Sequence, residues 1–114
     1  MPPRRSLRII DRDGRQNINN MVNAHINRLT SRANVYKDYL KDFMRDSSHF
    51  SEMSPQELFG ISKLMIENYD NLRDLTNELQ ALHVNVDLFI RLLLRSEPII
   101  GRNINVLRNN GYIV

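Results

Sequence analysis

Residues 53–82 read MSPQELFGISKLMIENYDNLRDLTNELQAL, and their pattern decides the fold. Ser54 is suited to cap a helix, Pro55 to be its first residue and Glu57 to return the capping bond. Met53 before the cap and Leu58 after it are spaced for a hydrophobic staple. Leu58, Ile61, Met65, Asn68, Leu72, Leu75, Leu79 and Leu82 then recur at alternating steps of three and four. That spacing lays side chains along one face of a helix, so the stretch predicts a helix over 55–82. Asn68 is the one polar residue on this seam. It is either a buried residue that sets register or an edge residue reaching water, with Tyr69 turned inward instead.

Toward the N-terminus, residues 21–46 carry a matching seam of Val22, Ile26, Leu29, Ala33, Tyr36, Leu40 and Phe43. No glycine or proline interrupts it, and the charged residues sit off it. Two heptad-patterned helices of similar length, joined by the short connection 47–54, predict an antiparallel helical hairpin. Charge agrees with that pairing. Residues 21–46 hold five basic and three acidic groups, whereas residues 54–82 hold Lys63 and Arg73 against Glu57, Glu67, Asp70, Asp74 and Glu78. Surface pairs of this kind contribute only tenths of a kcal/mol each.

Toward the C-terminus, Asn85 is suited to cap a short third helix over 85–95, with Asp87 in its first turn. Val86, Phe89, Ile90, Leu93 and Leu94 give it a broad apolar face. Residues 96–114 have two readings. Ser96-Glu97-Pro98 opens a fourth helix that Gly111 stops, with Tyr112-Ile113-Val114 folding back. Alternatively, 103–107 and 112–114 form a hairpin across Asn109-Asn110-Gly111. The helix is the preferred reading. The predicted class is all-α: a hairpin of two long heptad-patterned helices plus one or two short C-terminal helices, a small helical bundle.

The first 20 residues differ from the rest. They hold Arg4, Arg5, Arg8, Arg12 and Arg15 against Asp11 and Asp13, which accounts for the whole net charge of +3. The predicted organisation is a basic N-terminal arm over 1–20, flexible or a short hairpin turning at Asp13-Gly14, followed by a single helical domain over 21–114.

The chemistry of catalysis is sparse. The 114 residues contain no cysteine, hence no disulfide frame and no thiolate nucleophile. His25, His49 and His83 are scattered, without a partner at metal-binding spacing. The four glycines are isolated, so no phosphate loop is present. Glu67, Asp70, Asp74 and Glu78 form an acidic strip, read as a solvated face. No catalytic residue, cofactor or metal is predicted, and the chain is read as not an enzyme. No apolar run reaches the ~20 residues that a membrane helix needs, and no secretory signal is evident. An intracellular, cytoplasmic protein without a membrane is expected.

What remains is interaction. The five arginines of the arm are candidates for contact with an acidic protein or with phosphates. Arg91, Arg95, Arg102 and Arg108 form a second basic group. Phe89, Ile90, Leu93, Leu94, Tyr112 and Ile113 are candidates for a protein interface. The long helix, the Ser54-Pro55 corner and the second heptad helix, over Met44–Leu82, broadly resemble the central hairpin of the small terminase subunits of tailed phages. That resemblance implies ring assembly and DNA packaging, hence a virion-associated role; no helix-turn-helix precedes the hairpin here. Two functions are expected. The first is a non-enzymatic protein–protein interaction or structural module, binding a partner protein or itself as a homo-oligomer. The alternative is a nucleic-acid-associated protein, such as a phage or viral packaging component that uses the hairpin to oligomerise.

Overall fold

A computed structural model describes the backbone of residues 4–114 and the side chains from residue 16 onward. Those residues form helices joined by short connections, with no strand among them. Helix α1 spans Arg4–Arg45, a seven-residue 3-10 segment covers Asp46–Glu52, α2 spans Pro55–Ala81 and α3 spans Asp87–Asn109. The Ser54 hydroxyl accepts from the Glu57 backbone N–H at 3.2 Å, and Pro55 follows as the first helical residue. α1 and α2 pack against each other as the expected hairpin, and α3 lies chiefly along α2 with a lighter contact to α1.

Two apolar clusters give the directions. One joins Leu29, Ala33 and Leu40 of α1 to Leu72, Leu75 and Leu79 of α2 and to Val86, Phe89, Leu92 and Leu93 of α3. The other joins Phe50, Leu58 and Met65 to Ile100 and Leu107. The start of α3 therefore meets the end of α2, and its end meets the start of α2. The helices run up, down and up.

α2 turns a slightly different face inward from the one its leucines suggest. Leu58, Met65, Leu72 and Leu79 are all buried, seven residues apart, but Ser62 and Thr76 join them while Ile61 and Asn68 lie half-exposed. Asn68 donates to the Leu64 carbonyl of its own helix at 2.8 Å, so it is the edge residue of the two readings. Ser62 and Thr76 are small enough to let a third helix approach. Thr76 satisfies its hydroxyl on the Leu72 carbonyl at 2.6 Å.

Three expectations change. Residues 4–20, expected as an arm or a short hairpin, have a helical backbone that continues into residue 21 without a break. The short third helix and the fourth helix are one helix of 23 residues, with Pro98 inside it. The hairpin reading of 103–107 and 112–114 fails with that, because 103–107 is helical. A proline removes one hydrogen bond from a helix interior, but Leu93, Ser96, Ile100 and Asn103 are buried on both sides of it. Packing of that face outweighs the local break. Finally, Asn85 bonds from one residue before the cap: its Oδ1 accepts from the Asp87 N–H at 3.0 Å, and Val86 occupies the cap position.

α2 and α3 end alike. The Val84 N–H bonds to the Leu79 carbonyl and the His83 N–H to that of Gln80; the Tyr112 N–H bonds to Leu107 and the Gly111 N–H to Arg108. Both are Schellman closures, which need a left-handed residue. His83 supplies it at φ 62° and Gly111 at φ 85°.

Candidate interaction surfaces

α1 outruns the bundle. Among the residues whose side chains are described, the first buried one on α1 is Leu29, and residues 16–25 are all exposed. At about 1.5 Å per residue, residues 4–25 extend about 33 Å past the other helices. The described chain is 78 Å long but only 24 by 16 Å across. Its radius of gyration of 21.7 Å exceeds the ~13 Å of a compact chain of this length.

The projecting segment continues the seam that faces α2. Ile18 and Val22 precede Ile26 and Leu29 at steps of four and three, on the line that α2 covers further along. Beyond the end of α2 no described residue buries them. Ile18 is 62% exposed, Val22 42% and neighbouring Met21 71%. Val22, expected inward, is therefore outside the bundle, because α2 ends before reaching it. The backbone of Arg4, Arg5, Arg8, Arg12 and Arg15 belongs to the outermost turns of this helix; their side chains lie outside the described residues.

The predicted apolar interface divides. Phe89 and Leu93 are buried in the chain's own core, and Ile90 packs against it. Phe89 and Leu93 face α1 and α2, since α3 lies along the hairpin, and are not open to a partner, while Ile90 is half-buried. Tyr112 packs against Phe59, ring centroids 5.0 Å apart and planes tilted by 33°. Leu94 at 58% and Ile113 at 97% remain exposed, but they do not share a patch: Leu94 sits mid-helix and Ile113 on the C-terminal tail.

The C-terminal arginines divide as well. The Arg108 guanidinium donates to the Val114 carbonyl at 3.2 Å and so holds the tail. Arg91 and Arg95 line the cleft between α1 and α3 together with Lys37, Lys41 and Arg45, and Arg102 lines an adjoining hollow between α3, the 3-10 segment and the start of α2. The sequence pattern singles out the arginines of α3 but not the lysines of α1 beside them, because that juxtaposition depends on where α3 lies along the hairpin.

The remaining polar groups are quiet. On the acidic strip of α2, Arg73 bridges Asp70 at 3.4 Å and Asp74 at 3.6 Å. His25, His49 and His83 are exposed; His49 Nδ1 lies 3.8 Å from the Glu52 carboxylate. Among the described residues, no group of three or more His, Asp or Glu is placed to hold a metal ion, and no helix is long and apolar enough to cross a membrane. Tyr69 has its hydroxyl pushed up to about 12, by burial first and then by its hydrogen bond to the Glu97 carboxylate and that group's charge.

Comparison with protein-family models, with curated proteins and with solved structures finds no match to this chain, so the hairpin's likeness to small terminase subunits rests on pattern alone.

Proposed function

We propose that the protein is a non-enzymatic interaction and assembly module, whose docking element is the projecting half of α1. The observation that carries this reading is the uncovered seam of Ile18 and Val22. Helices in water draw most of their stability from packing an amphipathic face. This segment is also poor in strong helix formers, with Gly14 and the asparagines 17, 19, 20 and 23. A helix from another chain laid over the seam would supply the missing face. A second copy of this chain is the expected occupant, since its own projecting helix offers a matching seam. The basic residues of the outer turns would set the orientation of docking rather than its strength.

The test is absolute mass by light scattering over a range of concentrations, for the native chain and for the double variant Ile18→Glu/Val22→Glu. The native chain should form a discrete oligomer. The variant should be monomeric and keep the cooperative melt of a folded bundle, because both positions lie outside the core, and its melting temperature, unlike that of the native chain, should not depend on concentration. A native chain that stays monomeric at every concentration defeats self-assembly through this helix.

A further inference from the structure

We propose that the cleft between α1 and α3 binds the phosphate backbone of a double-stranded nucleic acid, independently of sequence. This site is separate from the projecting seam, and the proposal stands whether or not the chain self-assembles.

The two walls of the cleft are parallel helices, and each presents cations to it. Arg91 shares the first stretch of the cleft with Lys37. Arg95 shares the middle with Lys41 and Arg45. Arg102 lies beyond the far end, in an adjoining hollow where α3 faces Ser47, Ser48 and Ser51 of the 3-10 segment and the start of α2. The spacing on α3 follows from the helix: residues 91, 95 and 102 fall near one face because they are four and seven apart. On α1, residues 37, 41 and 45 are each four apart. The one acidic residue lining the cleft is Asp87, at the entrance end.

These cations are available. Arg91, Arg95, Arg102 and Lys41 form no ion pair within 4.0 Å among the described residues, and all four are exposed. Lys37 and Arg45 have only local partners on their own helix, Asp38 at 3.8 Å and Asp42 at 3.2 Å. The opposite side of the bundle has the reverse character, since it carries the acidic strip of α2. The net charge of +3 therefore understates the polarity of the molecule.

The form of the ladder selects the ligand. From Arg91 to Arg102 it is about 16 Å long at the helical rise, the length of roughly five base-pair steps at 3.4 Å. Guanidinium and ammonium groups neutralise phosphates, and serine hydroxyls of the 3-10 segment donate further bonds to them. The aromatic side chains lining the cleft and the adjoining hollow, Phe89 and Phe50, are buried in the core. No exposed ring is offered there for stacking an unpaired base, which single-strand binders use. A duplex, which presents its phosphates outward and keeps its bases stacked, fits the surface better than a single strand.

The experiment is fluorescence anisotropy of the full chain with a labelled DNA duplex of about 20 base pairs, from about 50 to 200 mM salt. Affinity should fall on the order of 10³-fold over that range if all six cations engage, at a slope of about −0.9 per phosphate. Arg91→Gln/Arg95→Gln/Arg102→Gln should make the slope shallower by about 2.7. Lys41→Gln/Arg45→Gln, on the other wall, should make it shallower by about 1.8 and serves if the first variant folds poorly. No binding at low salt overturns the proposal. So does binding whose slope responds only to replacement of the five arginines at 4–15, or displacement of the duplex by polyglutamate at equal charge concentration. Preference for a single strand over the duplex overturns the choice of ligand.

Discussion

The Tyr69 hydroxyl on α2 donates to the Glu97 carboxylate on α3 at 2.5 Å, and this is the polar tie across the face where those two helices meet. Folding raises the Tyr69 pKa from 10.0 to about 12, so the protonated phenol is favoured in the folded state. The stabilisation is fully present below pH 10 and is lost as pH rises toward 12. Thermal melts between pH 9 and 12 should show this decline, and Tyr69→Phe should remove the part due to the pair. At neutral pH the same variant should cost about 1 kcal/mol or less, since the pair is partly exposed to water. An identical pH profile in the variant would show that the bond contributes nothing.

The two helix closures make a matched comparison. His83 holds a left-handed conformation that costs a side-chain-bearing residue about 1–2 kcal/mol, whereas Gly111 holds it freely. His83→Gly should raise stability by up to about 1 kcal/mol, and Gly111→Ala should lower it by a similar amount. Denaturant titration of the two variants against the native chain reads both signs.

Burial separates two leucines that look equivalent in sequence. Leu72 is fully buried between the helices, while Leu94 is 58% exposed. Leu72→Ala should cost about 2–5 kcal/mol by opening a cavity, and Leu94→Ala should stay within about 0.5 kcal/mol. Equal effects at the two positions would overturn the orientation of α3.

Pro98 is exposed in the interior of α3. Pro98→Ala restores an N–H that can reach the Leu94 carbonyl and removes the ring's clash with it. The variant should gain about 1–3 kcal/mol. A loss of stability instead would mean that the proline shapes the helix for its packing, and circular dichroism with a urea titration distinguishes the two.

The residues themselves determined much of this architecture. Ser54-Pro55 starts a helix because it supplies an acceptor for an orphan N–H and a preset backbone angle, both local effects. Periodic leucines on α2 and on the inner part of α1 specify a hairpin because a helix with one apolar stripe must bury it. The absence of cysteine and of clustered histidines likewise follows from composition. Tertiary structure decided the rest. Pro98 reads as a break until Ile100 and Leu107 are seen buried against α2. Phe89 and Leu93 read as a surface until α3 lies along the hairpin and absorbs them. Val22 reads as core until α2 ends short of it. The cleft of Lys41 and Arg95 joins residues more than fifty positions apart, and no local pattern brings such charges together. Spacing along a chain encodes which side of a helix is apolar, whereas what lies across from that side depends on where the other helices begin and end.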